Sequence, residues 1–130
     1  MFFLKKHKFG LSGYLQCPYL LGGLFEVTLS SNYNTYEKNP LAKVRAKLNT
    51  SFDIYASVTT LKTIHPCVKI YHNCFRSKSH CLGLIIIPIP QNFVYKKKSL
   101  LNFYSLGKFD LSRQQSHILD CGIKKNRRTI

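Results

Sequence analysis

The chain has 130 residues, with 20 Lys and Arg against 5 Asp and Glu and a formal net charge of +15 at pH 7. That length allows one domain at most, and a hydrophobic content of 45% with 9 Phe and 8 Tyr excludes the composition of ordinary disorder. Few of the cations can find an acidic partner, so the excess repels itself and attracts polyanions.

Near the start, Lys5, Lys6 and Lys8 precede an uncharged stretch from Phe9 to Phe25. The arrangement resembles the basic and apolar regions of a signal peptide. Gln16, Pro18 and the glycines at 10, 13, 22 and 23 interrupt it, and no small-residue cleavage site follows. It also falls short of the roughly 20 mainly apolar residues that span a bilayer. We read it as a chance apolar run, with a cryptic signal or anchor as the alternative.

Leu24–Ser30 places Phe25, Val27 and Leu29 on one face and Glu26 and Thr28 on the other, which predicts a strand. Ser31-Asn32-Tyr33-Asn34 then reads as a turn. Pro40–Leu48 is ambiguous. Asn39 and Pro40 make a good helix start, and Leu41, Val44 and Leu48 share a helical face. The same residues alternate strictly, with Ala42, Val44, Ala46 and Leu48 against Lys43, Arg45 and Lys47. The cap and the alanines favour a short helix, marginal unless packed.

Phe52–Thr60 alternates as a half-buried strand, and Cys67–Tyr71 is β-branched and suited to pair with it across His65-Pro66. Leu82–Ile87 reads as a buried strand that Pro88 ends. From Ser99 to Leu111 a weak helical spacing of Leu100, Phe103 and Leu106 is broken by Gly107. The expectation is therefore a small β-leaning α+β mixture over residues 1–121, loosely packed and with several buried polar groups lacking partners. A mobile basic tail, residues 122–130, follows.

The clustered reactive residues lie between His65 and Cys81, where three His and three Cys fall together. Thiolate and imidazole are the ligands zinc takes, and four suffice. On strands, His65 with Cys67 and His72 with Cys74 would each share a side. No C-x₂-C knuckle is present, and Lys69 and Arg76 nearby would repel a divalent cation, so no metal site is favoured. The five cysteines, an odd number, read as mostly free thiols in a reducing, intracellular setting. The acids Glu26, Glu37, Asp53, Asp110 and Asp120 are dispersed, and no phosphate-binding loop occurs. Neither an enzyme nor a cofactor is expected.

Basic clusters occur at Lys5-Lys6-His7-Lys8, at Lys43/Arg45/Lys47, at Lys96-Lys97-Lys98 and at Lys124, Lys125, Arg127 and Arg128. Phe93, Tyr95, Phe103 and Tyr104 flank the third. Cations interleaved with rings suit single-stranded nucleic acid, through phosphate neutralisation and base stacking. No specific partner follows; nonspecific polyanions, nucleic acid or an anionic membrane surface, are those that charge alone attracts.

Ala, Val and Gly number only 3, 5 and 7, while Phe, Tyr, Ile, Asn and Lys fill their place. This is what AT-rich DNA yields in a frame not shaped by protein selection. The leading expectation is a spurious or recently arisen reading frame with no selected activity. The alternatives are a small basic nucleic-acid or anionic-surface binding protein and a Cys/His metal-stabilised module.

Overall fold

The structure, a computed structural model, describes residues 4–77, 80–95 and 102–122. Among these are eight strands and two single-turn 3₁₀ helices, at Gln91–Phe93 and Leu111–Arg113. The expected α+β mixture is therefore corrected to an all-β architecture.

The strands form two sheets. In the smaller, β1 (Lys5–Gln16) is central, antiparallel to β4 (Ser51–Thr60) and parallel to β7 (Tyr104–Asp110). The larger runs in the order β3 (Ala42–Lys47), β2 (Leu24–Ser30), β5 (Cys67–His72), β6 (Leu82–Pro88) and β8 (His117–Asp120), antiparallel throughout. Phe9, Leu11, Leu15, Ile54 and Ala56 from one sheet meet Phe25, Val27, Leu29, Val68, Ile70 and Ile85 from the other in a single buried cluster. Two sheets sharing one core make a β-sandwich.

The alternating segments became strands because each found a partner for its backbone and a core for one face. β2, β4, β5 and β6 occupy the predicted stretches nearly to the residue. Two predicted helical segments did not form. Ala42–Lys47 is strand β3, because its alternation pairs register for register with β2, Val44 against Val27 and Ala46 against Phe25. A helix so short, with no groove to pack in, cannot compete with that pairing. The weak helical spacing after Ser99 gave way to β7, which pairs with the edge of β1 opposite β4.

β5 does not pair with β4 as expected. It lies in the opposite sheet, between β2 and β6. The largest surprise is β1, built from the interrupted apolar run. Gly10 sits mid-strand, where an added Cβ would come within 2.6 Å of the Phe103 ring. The missing side chain lets that ring lie against the strand.

The packing is not loose. Phe9, Leu11, Leu15, Val27, Leu29, Val68, Ile70 and Leu84 are fully buried. Among the described residues, two buried side-chain atoms lack a partner, His7 Nδ1 and Thr28 Oγ1. The predicted tail from 122 to 130 lies, beyond Gly122, outside the described residues.

Candidate functional site

Outer faces of a sandwich are usually wet, yet Thr28, Ser30, Cys67 and Lys69 on the outer face of the larger sheet are at most 2% exposed. The segment between β2 and β3 causes this by folding back over them as a strap. Its turn is locked locally. Ser30 Oγ accepts the Asn32 backbone N–H at 3.1 Å, and Asn32 Oδ1 accepts that of Asn34 at 3.0 Å. Such side-chain-to-backbone bonds two residues on are what Ser and Asn contribute to turns.

Under the strap Lys69 Nζ donates to Glu37 Oε1 at 2.9 Å and to Asn32 Oδ1 at 3.1 Å. Glu37 Oε2 accepts from Ser30 Oγ at 2.8 Å and from Asn32 Nδ2 at 3.1 Å. Cys67 Sγ donates to the Asn32 carbonyl at 3.1 Å. Burial pushes the Cys67 thiol up to about 11; the neighbouring Lys69 charge opposes the shift and that of Glu37 adds to it. At neutral pH it is a buried thiol and a poor nucleophile.

The other cysteines are not free thiols. Cys17 is bonded to Cys74 and Cys81 to Cys121, while Cys67 is the free one. The odd count therefore reflects two disulfides and one thiol held away from them. Cys17–Cys74 joins the end of β1 to the segment after β5, tying one sheet to the other. The His80 ring lies beside the second disulfide, the three ligand atoms within 4.8 Å of one another.

The four metal-ligand candidates from the sequence are not brought together. His65 is exposed, its Nδ1 3.4 Å from Gln91 Nε2. Cys67 and His72 lie at the two ends of one strand, an odd number of residues apart, and so face opposite sides of the sheet. Cys74 Sγ is consumed by its disulfide. His72 Nδ1 accepts the Cys74 backbone N–H, and His72 Nε2 is 2.9 Å from Ser116 Oγ. With Nδ1 accepting, the ring proton is on Nε2 and points at the hydroxyl, so this pair is not arranged for a histidine to take a proton from serine.

Of the basic candidates, Lys96, Lys97, Lys98, Lys124, Lys125, Arg127 and Arg128 lie outside the described residues. Lys43, Arg45 and Lys47 are placed: all three are exposed on edge strand β3, with Arg45 directly across from Glu26. The surface also carries open grooves that none of these three cations lines. One, of about 510 Å³, is lined by Ser12, Tyr14, Phe52, Asp53 and Lys108. The other, of about 470 Å³, is lined by Leu24, Glu26, Tyr71 and Leu82. Among the described residues no helix is long and apolar enough to cross a membrane.

Two sheets around one core, tied by a disulfide between them, define a small disulfide-linked β-sandwich domain. The chain belongs to the transthyretin-like family (TTR-52), whose pattern it matches over residues 12–90. That span runs from β1 to the end of β6 and takes in the strap, the sheet-to-sheet disulfide and the basic edge. No curated protein was found to match the chain. The match over residues 12–90 assigns a domain and not an activity.

Proposed function

We propose that this protein is a non-catalytic binding module of an oxidising compartment, and that it captures linear polyanions along β3. The observation that carries the reading is the row Lys43, Arg45 and Lys47. These cations project from one side of an edge strand at every second residue, about 6.7 Å apart. Against the net charge of +15, Glu26 is the acid opposite the row, so two of the three cations face no carboxylate across the strand pair. A polyanion laid along the edge gains from neutralisation and from counterion release.

The two disulfides support the compartment, since such bonds persist where the surroundings are oxidising. The buried, protonated Cys67 and the proton-donating tautomer of His72 support a binding role over a catalytic one.

The test is a salt titration of binding to heparin, to unrelated single-stranded oligonucleotides and to vesicles of anionic lipid. Affinity should fall steeply with salt and discriminate poorly among oligonucleotide sequences. The triple change Lys43→Gln, Arg45→Gln, Lys47→Gln should weaken binding and flatten the salt slope by about one per cation lost. Unchanged binding by the triple variant, or no binding by the folded protein, overturns the reading.

A further inference from the structure

The strap arranges an amine, a carboxamide and a carboxyl group in a reactive order. Lys69 Nζ is 3.1 Å from Asn32 Oδ1, so the carboxamide carbon is one bond beyond the atom the amine already touches. Glu37 spans both nitrogens, with Oε1 2.9 Å from Lys69 Nζ and Oε2 3.1 Å from Asn32 Nδ2. The Asn34 backbone N–H, 3.0 Å from Asn32 Oδ1, polarises the same carbonyl. The Lys69 side chain is fully buried and that of Glu37 is 13% exposed. From this geometry we propose that Lys69 and Asn32 become joined by an intramolecular isopeptide bond, with Glu37 carrying the protons.

The chemistry balances without an oxidant or a reductant. Lys69 passes a proton to Glu37 Oε1, and the free amine adds to Asn32 Cγ to form the new C–N bond. Negative charge gathers on Asn32 Oδ1, where the Asn34 N–H already points, as an oxyanion donor should. The bond from Cγ to Asn32 Nδ2 then breaks: Glu37 hands a proton through Oε2 to the departing nitrogen, and Oε1 takes the second proton from the newly bonded Lys69 nitrogen and passes it to the released ammonia. Starting from the ion pair, the products are the secondary amide, the Glu37 carboxylate's original charge restored, and one ammonium ion.

Free amines do not attack unactivated amides at a useful rate in water. Here the groups are held together, which removes the entropy of encounter. Ser30 Oγ, 2.8 Å from Glu37 Oε2, and Cys67 Sγ, 3.1 Å from the Asn32 backbone carbonyl oxygen, keep the carboxyl and the asparagine in place. Glu37 donates and accepts at the reacting atoms; Ser30 and Cys67 are positioning residues. The product would clamp the strap to β5 across 37 positions of sequence with a bond that thiol reductants cannot open.

The experiment is intact mass spectrometry of the folded full chain after reduction and alkylation, which removes any contribution from the disulfides. The expected mass is below the sequence mass by one ammonia. Tandem spectra of a digest should show a branched peptide joining the segments that hold Asn32 and Lys69, with no tryptic cleavage after Lys69. Glu37→Gln keeps hydrogen-bonding groups but cannot carry the proton, and Lys69→Arg lacks the nucleophile. Both should show full mass, with their fold checked by circular dichroism. Full mass in the folded wild-type protein after prolonged incubation overturns the proposal, whatever the variants do. So does an ammonia loss that maps to another asparagine without a branched peptide.

Discussion

His72 and Cys74 are joined twice over: the Cys74 backbone N–H donates to His72 Nδ1 at 2.9 Å, and the Cys74 sulfur anchors the same segment to Cys17. The ring is therefore held as the Nε2-protonated neutral tautomer, and burial pushes its pKa down from 6.5 to about 4. Protonating Nδ1 means breaking the bond to Cys74.

This makes stability depend on pH in a stated direction. In the unfolded chain the imidazole takes a proton near 6.5, whereas in the folded chain it does so only near 4. Between those values the unfolded state binds more protons, so stability rises with pH. The stabilisation is complete above about pH 6.5 and is lost as pH falls toward 4, by on the order of 3 kcal/mol in all. Denaturant melts at several pH values should show this loss, and His72→Gln should flatten it across that window. An equal slope in both proteins would count against the assignment.

Removing the disulfide between the sheets should be costly. The double change Cys17→Ser and Cys74→Ser releases a bridge spanning 57 positions. Loop-closure entropy alone predicts a loss of about 4 kcal/mol, and chemical denaturation under non-reducing conditions measures it. The change at Cys81 and Cys121, a bridge spanning 40 positions at the margin of the larger sheet, serves as the comparison.

Cys67 should be invisible to thiol reagents in the native protein. It has no exposed surface and its pKa is pushed up to about 11. Titration with an aromatic disulfide reagent should find no reactive thiol in the folded chain and one per chain in denaturant without reductant. More than one in denaturant would show that a disulfide had not formed.

Gly10→Ala should destabilise through one identifiable ring. The new Cβ would come within 2.6–2.8 Å of three carbons of Phe103, which must move off the strand. Such overpacking costs about 1–3 kcal/mol. In the Gly10→Ala background, Phe103→Ala should then add less than it does alone, a coupling that a double-mutant cycle reads directly.

Several strands were legible in the sequence by itself. The period of two in Leu24–Ser30 and Phe52–Thr60, the β-branched run at Cys67 and the apolar run ended by Pro88 all mark strands, because alternation and β-branching act over neighbouring residues. The exposed cations of β3 were legible too, though its backbone was not. Ala42–Lys47 suits a helix and a strand about equally, and only β2 beside it decides between them. β1 was hidden because its glycines and Gln16 look like interruptions until Phe103 and strands β4 and β7 are brought against it. The disulfide pairing, the neutral tautomer of His72 and the meeting of Lys69 with Glu37, 32 residues away, were beyond any local pattern. Each depends on which residues the two sheets and the strap bring within bonding distance. That is set by the packing of the whole chain, because hydrogen bonds and disulfides act over a few ångströms in space whatever the separation along the backbone.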